Sequence, residues 1–210
     1  MKLLCFFIFC IFLSINATAQ TDLGTGLISI HFDSKTILHF YNLPTDKEPA
    51  KTISFFDDKS INSWNIKNLD EQKKWLMPEV LWLDYDYFIF RCLKEDNGYY
   101  NVIVNNQTGK SYWIKKSAAT VFSTYENYLK EMFGVGRLTA MPIKESPTEA
   151  SATIKYSGTD CFRVRQMKGD WIEIFTADYC DEDSGKPKIK SGWIQWKQGN
   201  KLLIEYYLTG

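Results

Sequence analysis

From Phe162 onward, apolar and polar positions alternate in short runs separated by tight turns. Phe162-Arg163-Val164 leads to a turn at Lys168-Gly169, and Trp171-Ile172-Glu173-Ile174 opens the next run, a pattern that predicts a β-hairpin. The chain then crosses a polar loop, Asp181-Glu182-Asp183-Ser184-Gly185. It returns as Trp193-Ile194-Gln195-Trp196, turns at Gln198-Gly199-Asn200 and finishes with Leu202 to Tyr207. Short strands at this spacing favour a small closed barrel, because closure removes the unpaired edges of an isolated sheet.

An earlier stretch follows the same plan. Ile37 to Asp46 matches Ala140 to Glu149 in its apolar residues, its spacing to proline and the threonine and acid that follow. Phe90-Arg91-Cys92 echoes Phe162-Arg163-Val164, Asn97-Gly98-Tyr99-Tyr100 sits where Lys168-Gly169-Asp170-Trp171 sits, and Trp113-Ile114 stands for Trp193-Ile194. Asn-Gly between apolar runs is a strong hairpin signal, since both residues tolerate positive φ. The expected organisation is an internal duplication, with a first domain over 21–136 (its repeated part from about residue 26) and a second over 137–210.

The first copy is longer by an insertion at about 57–85. Within it, Asn68-Leu69-Asp70-Glu71 reads as a capping box opening a short helix through Trp75, stopped at Met77-Pro78. Its three tryptophans, Trp64, Trp75 and Trp82, either pack over the barrel as a lid or line a groove; packing is the commoner fate of such rings. A second capping box, Ser123-Thr124-Tyr125-Glu126, opens a helix at about 124–133 whose Tyr125, Leu129, Met132 and Phe133 share one face. That stripe is expected to bury between the two barrels and to set their relative orientation.

Four segments in order carry a family resemblance. Ile143-Lys144-Glu145-Ser146-Pro147-Thr148, then Gly158 to Val164, then Gly169-Asp170-Trp171-Ile172-Glu173-Ile174, then Gly192-Trp193-Ile194 resemble the pattern of bacterial SH3-like domains from about Ala140 to the C-terminus. The long loop before Gly192 departs from that pattern. With the resemblance, the expected fold is mainly β: two small SH3-like β-barrels in tandem, with one or two short helices in and after the first.

Residues 1–20 read as a signal peptide, with Lys2 as the basic end, Leu3 to Leu13 as the apolar run and Ala17-Thr18-Ala19 at the cleavage site. The run is too short to span a bilayer comfortably, so an exported protein, periplasmic or extracellular and without a membrane span in its mature chain, is expected. Its removal takes only Lys2 from 25 basic residues and none from 25 acidic ones, leaving a charge near minus one. Such balance argues against a nucleic-acid partner. Of the cysteines left, Cys161 and Cys180 lie near the outer ends of the hairpin strands and can pair in an oxidising compartment; alternatively Cys92, Cys161 and Cys180 are all small buried apolar groups.

Catalytic signals are sparse. His31 and His39 fall on strands with no cysteine or acid at ligand spacing, which favours structural histidines. Cys92 has no triad-like surroundings. Asp84-Tyr85-Asp86 and Asp181-Glu182-Asp183 lack the spacing of a calcium loop and read as solvated turns. No phosphate-binding glycine loop or nucleophile elbow is present. The expectation is therefore a non-enzymatic binding protein without metal or cofactor. SH3-like folds hold extended peptides in aromatic grooves, and Tyr41, Tyr99, Tyr100, Asp170 and Trp171, at the proline loop and hairpin tips, are the candidate ligand residues; the competing role for Tyr100 and Trp171 is to close the barrel ends. The partner class is a peptide, a peptidoglycan fragment or an envelope protein, and the alternative is an assembly subunit whose aromatic faces bury against another chain.

Overall fold

The structure, a computed structural model, describes residues 22–177, 179 and 187–209. It is mainly β, with two curled antiparallel half-barrel sheets and two short helices. The first sheet contains β1 (Gly26–Ile30), β2 (Ile37–Tyr41), β3 (Lys51–Asp58), β4 (Ser63–Ile66), β5 (Val80–Trp82), β6 (Tyr87–Asp96), β7 (Tyr99–Asn105), β8 (Lys110–Lys115) and β9 (Thr120–Ser123). Helix α1 (Leu69–Gln72) lies between β4 and β5, and α2 (Tyr125–Glu131) links the sheets. The second sheet contains β10 (Gly134–Arg137), β11 (Ile143–Lys144), β12 (Thr153–Ile154), β13 (Phe162–Lys168), β14 (Trp171–Thr176), β15 (Gly192–Gln195) and β18 (Ile204–Tyr207), while β16 (Lys197–Gln198) and β17 (Lys201–Leu202) form a separate small hairpin.

The sheets repeat one strand order. The first runs β4-β3-β2-β8-β7-β6-β1-β9, with β5 added beside β6, and the second runs β12-β11-β15-β14-β13-β10-β18. From β3 to β9 and from β12 to β18, each strand has the same neighbours in the corresponding place. Both orders are open paths, so the curl of the sheets takes the place of the closed ring expected from strand spacing.

The central hairpins match residue for residue. Each carries a register shift, between Cys92 and Lys94 in β6 and between Val164 and Gln166 in β13. Asp96 pairs with Tyr99 and Lys168 with Trp171, leaving two-residue turns. Asn97 and Gly98 both have positive φ, as a type I′ turn requires, whereas the second turn places its positive φ at Gly169, its first residue. The glycines thus occupy different turn positions, and aligning the copies on them is wrong by one residue. Register makes Tyr99, not Tyr100, the counterpart of Trp171.

Each half-barrel has an apolar interior. In the first it is built from Ile28, Ile30, Phe40, Phe55, Phe88, Phe90, Val102 and Val104. The outward residues of the same strands, Leu27 and Ile89, belong to the other core, with α2, Phe162, Val164, Ile172, Ile174 and Ile194. Strands β1 and β6 are therefore buried on both faces, which explains the continuous apolar run Tyr87-Phe88-Ile89-Phe90.

Helix α2 sits between the sheets. Its cap is Thr124, whose side chain accepts from the Asn127 amide at 3.2 Å, one residue later than the Ser123 cap expected from sequence. Tyr125 donates to the Leu23 carbonyl at 2.8 Å on one side and lies 4.9 Å from the Trp196 ring on the other. Tyr128 meets Tyr206 edge-on, and Leu129 and Met132 are buried. The apolar stripe is thus shared by both sheets. Helix α1 differs from expectation: Asn68 adopts a left-handed conformation with no side-chain cap bond, and the helix ends at Gln72, short of Trp75. Trp75 packs edge-on against Phe40 and Tyr112, and Trp64 against Phe32, whereas Trp82 remains 38% exposed.

A buried carboxylate completes the junction. Glu79 accepts from Arg91 Nε and Asn106 Nδ2, each at 2.6 Å, and from the hydroxyl of Tyr206 on the second sheet. The Glu79 and Arg91 side chains are only 5% and 12% exposed. Removing one partner of a buried ion pair leaves an uncompensated charge, at a cost of about 3–5 kcal/mol. Glu79→Ala is expected to destabilise the protein on that scale and Glu79→Gln by less, read as a fall in the midpoint of urea unfolding.

Burial, reinforced by the Glu79 carboxylate, pushes the Tyr206 hydroxyl far above its ordinary value near 10, and burial does the same to Tyr125 and Tyr128. A group whose folded pKa is raised contributes stability that is complete below its unfolded pKa and fades as pH rises above it. Stability is accordingly expected to fall from about pH 10 upward, and Tyr206→Phe to flatten that slope. Urea midpoints measured from pH 8 to pH 11.5 check both.

Candidate functional site

Strand pairing gathers part of the sequence-derived site on the outer face of the first sheet. Tyr41 pairs with Trp113, which pairs with Asn101, and Tyr99 lies two residues from Asn101, so the period of two puts Tyr41, Trp113 and Tyr99 on one face. The Tyr41 and Tyr99 rings meet edge to face at 6.0 Å. His39, two residues before Tyr41 on β2, stands on the same face with its ring 6.4 Å from Tyr41 and its Nδ1 3.2 Å from Thr52 Oγ1. A cavity of about 180 Å³ opens beside them, lined by Ile37, His39, Tyr41, Ile114 and Lys115. Ile37 at its edge is 56% exposed. Lys94 lies over the Trp113 ring at 5.3 Å, so two lysines, Lys94 and Lys115, flank the aromatic face.

Tyr100 is turned the other way. It is 9% exposed, packs with the core of the first half-barrel and stacks near Phe122, and Lys116 lies over its ring at 4.7 Å while bonded to Glu95. Its place in the register explains this, since it pairs with Ile114 just as the fully buried Ile172 pairs with Ile194. Neighbouring strand residues face opposite sides, and Tyr99 takes the outward position.

Asp170 and Trp171 form a separate tip on the second sheet. Trp171 is half-buried opposite Gln195. The Asp170 carbonyl accepts from the Trp196 amide at 3.0 Å, its carboxylate lies 3.5 Å from Lys197 Nζ, and Trp196 Nε1 donates to the Gly169 carbonyl at 3.0 Å. These bonds fasten the hairpin tip to the strand after it. No ring contact, hydrogen bond or ion pair joins the Asp170–Trp171 tip to Tyr41 or Tyr99 among the described residues.

Glu173, next but one to Trp171, is a buried acid that sequence periodicity did not single out. It accepts from Ser191 Oγ at 2.6 Å, Gln166 Nε2 at 2.7 Å and Arg165 Nη1 at 2.8 Å, and these donors, Ser191 foremost, hold its pKa below the usual carboxylate value. Its counterpart in the first copy, by register, is the buried Asn101. The signal was the matched placement of both residues opposite a tryptophan.

Asp84 and Asp86 line a cavity with Asp57 and Trp64. Asp181, Glu182 and Asp183 lie outside the described residues, as does Cys180; Cys161 is disulfide-bonded. Among the described residues, no three of histidine, cysteine, aspartate and glutamate converge to hold a metal, and no helix is long and apolar enough to cross a membrane. No family model matches the chain, and neither a curated protein nor a solved structure matches it.

Cys92 is a free thiol at 0% exposure, and burial pushes its pKa up to about 11. Thiolate is the reactive form of cysteine. Cys92 is therefore expected to resist iodoacetamide at pH 8 in the folded protein and to be labelled promptly in urea, as mass spectrometry of the alkylated chain will read.

Proposed function

We propose that the protein is an exported, non-enzymatic binding protein in which each seven-strand repeat is an SH3-like unit. In this reading the first unit recognises an extended peptide, a wall glycopeptide or an envelope protein segment on its outer aromatic face. The repeated strand order and the motifs from Ile143 to Ile194 support the SH3-like assignment. The observation that carries the binding reading is the Tyr41–Tyr99 pair, half-exposed beside the cavity at Ile37 and His39. Rigid aromatic rings give contact area at little entropic cost, and Lys94 and Lys115 are placed to meet a carboxylate on the ligand.

An assembly role has one observation in its favour. Strand β9 ends the first sheet, and its Val121 and Phe122 are 43% and 38% exposed. An open edge with apolar side chains is a template for another chain. A stable oligomer in size-exclusion chromatography that Val121→Lys converts to monomer would favour this second reading.

Wall binding is tested with purified peptidoglycan in a pull-down of the mature protein. The wild type is expected in the pellet, and the Tyr41→Ala/Tyr99→Ala variant in the supernatant with an unchanged circular dichroism spectrum. Equal sedimentation of both proteins would remove the aromatic face from the account, and failure of the wild type to sediment would remove the wall.

A further inference from the structure

The first sheet carries another groove, whose lining is opposite in charge to the Tyr41–Tyr99 face. A cavity of about 240 Å³ lined by Asp57, Asp84 and Trp64 and a cavity of about 380 Å³ lined by Ile30, Phe32 and Trp64 share Trp64 and Asp86 in their walls. The two cavities adjoin at Trp64 and Asp86, with an apolar and aromatic wall in the one and aspartates around the other, and are taken as two lobes of one groove. The wall is firmly set: Phe32 stacks on Phe55 at 4.6 Å, and Trp64 meets Phe32 edge-on at 6.0 Å. Strands β3 and β4 and the turn after β5 hold the three aspartates in place.

The rim is short of cations. Lys59 pairs with Asp57, but its side chain is 81% exposed. Asp84 accepts only the hydroxyl of Ser63, at 2.5 Å, and Asp86 has no hydrogen bond or ion pair from its side chain among the described residues. His31 lines the other lobe.

The aromatic rings nearby are also open to a cation, as Tyr41, Tyr99, Trp171 and Trp193 are among the described residues. Elsewhere the chain lays its own lysines or an arginine over Trp75, Trp113, Tyr112, Tyr100, Phe175 and Trp196. Among the described residues Trp64 carries no such cation. Nor do Trp82 and Tyr85, which flank Asp84 in sequence, pack ring to ring at 4.3 Å and are 38% and 52% exposed. An ammonium or guanidinium held between carboxylates and an aromatic face gains from both, and the gain grows as water is excluded.

We propose that this groove is a docking site for an extended basic peptide, which seats lysine or arginine side chains against Trp64 between Asp57, Asp84 and Asp86. Alternate residues of an extended strand project to the same side, and the two lobes receive successive side chains of that kind. The site is independent of the Tyr41–Tyr99 face, whose adjoining cavity is lined by His39 and Lys115 and by no aspartate.

The test is a tryptophan-fluorescence titration of the mature protein with acetyl-hexalysine-amide, with acetyl-hexaglutamate-amide beside it, at 50 mM and 150 mM salt. The variant is Asp84→Asn/Asp86→Asn. Asparagine keeps the left-handed backbone that Asp86 adopts at φ 60 and preserves an acceptor for Ser63. Saturable binding of hexalysine, no binding of hexaglutamate and at least a tenfold weaker affinity in the variant are expected. A Tyr41→Ala protein is expected to bind hexalysine as the wild type does. Equal affinity of wild type and Asp84→Asn/Asp86→Asn, or no saturation with hexalysine, overturns the proposal. A Trp64→Leu variant with the wild-type melting temperature and undiminished hexalysine affinity also overturns it.

Discussion

A single carboxylate holds the two halves of this protein in register. Glu79 arrives on the segment before β5, where the Met77 amide donates to Val104 and the Asn106 amide to Met77, so its backbone is tied to the first sheet. Its side chain then accepts from Arg91 and Asn106 of that sheet and from Tyr206 of the other. A buried charge satisfied from both sides has few alternative arrangements, because any sliding of one sheet over the other would leave it short of a donor. Apolar contacts around α2 fill the core between the sheets, but they are tolerant of small displacements; the hydrogen bonds at Glu79, with Tyr87 donating to the Leu208 carbonyl at 3.1 Å, are not.

The repeated strand order was legible in sequence because strand periodicity and proline and glycine punctuation recur in both halves. The match of Ile37–Asp46 with Ala140–Glu149 agrees with the register, since Tyr41 pairs with Trp113 and Lys144 with Trp193. The hairpin tips were harder to read. Glycine marks both tips, yet it sits at the second turn position in the first sheet and the first in the second. Tyr99 and Tyr100 are both candidates on sequence, with barrel closure the competing role of Tyr100, and a slip of one residue along the strand separates the outward Tyr99 from the buried Tyr100.

Long-range polar pairing left no trace in the sequence pattern. Glu79 stands beside Met77-Pro78, where proline indicated only the end of a helix, and nothing local shows that its donors lie 12, 27 and 127 positions away. The capping box at Asn68 illustrates the converse. Local chemistry suited a side-chain cap there, but Asn68 adopts the left-handed conformation that asparagine tolerates, and α1 stops at Gln72 as the chain turns toward Trp75 and its contacts with Phe40 and Tyr112. Tertiary packing of a large ring outweighs a cap worth about 1 kcal/mol.

Burial of β1 and β6 on both faces leaves the first sheet's accessible surface mostly on its other strands and in a cavity of about 530 Å³ between α2 and the β1–β9 side. Its interior face is filled by its own core, and the outward side of β1 and β6 is covered by α2 and the second core. Partly exposed aromatic surface is left at the outer face of β2, β7 and β8, where Tyr41 and Tyr99 lie with Lys94 and Lys115, at the β9 edge, where Phe122 lies, and at the turns around β4 and β5, where Trp64, Trp82 and Tyr85 lie with Asp57, Asp84 and Asp86. A chain with nearly balanced total charge thus gathers three aspartates around Trp64, with Lys59 on Asp57, and sets Lys94 and Lys115 beside Tyr99, with Asp96 opposite it. Local charge of this kind is what separates one ligand from another at such a surface in general, because a like charge placed beside a ring repels one ligand where an opposite charge attracts another.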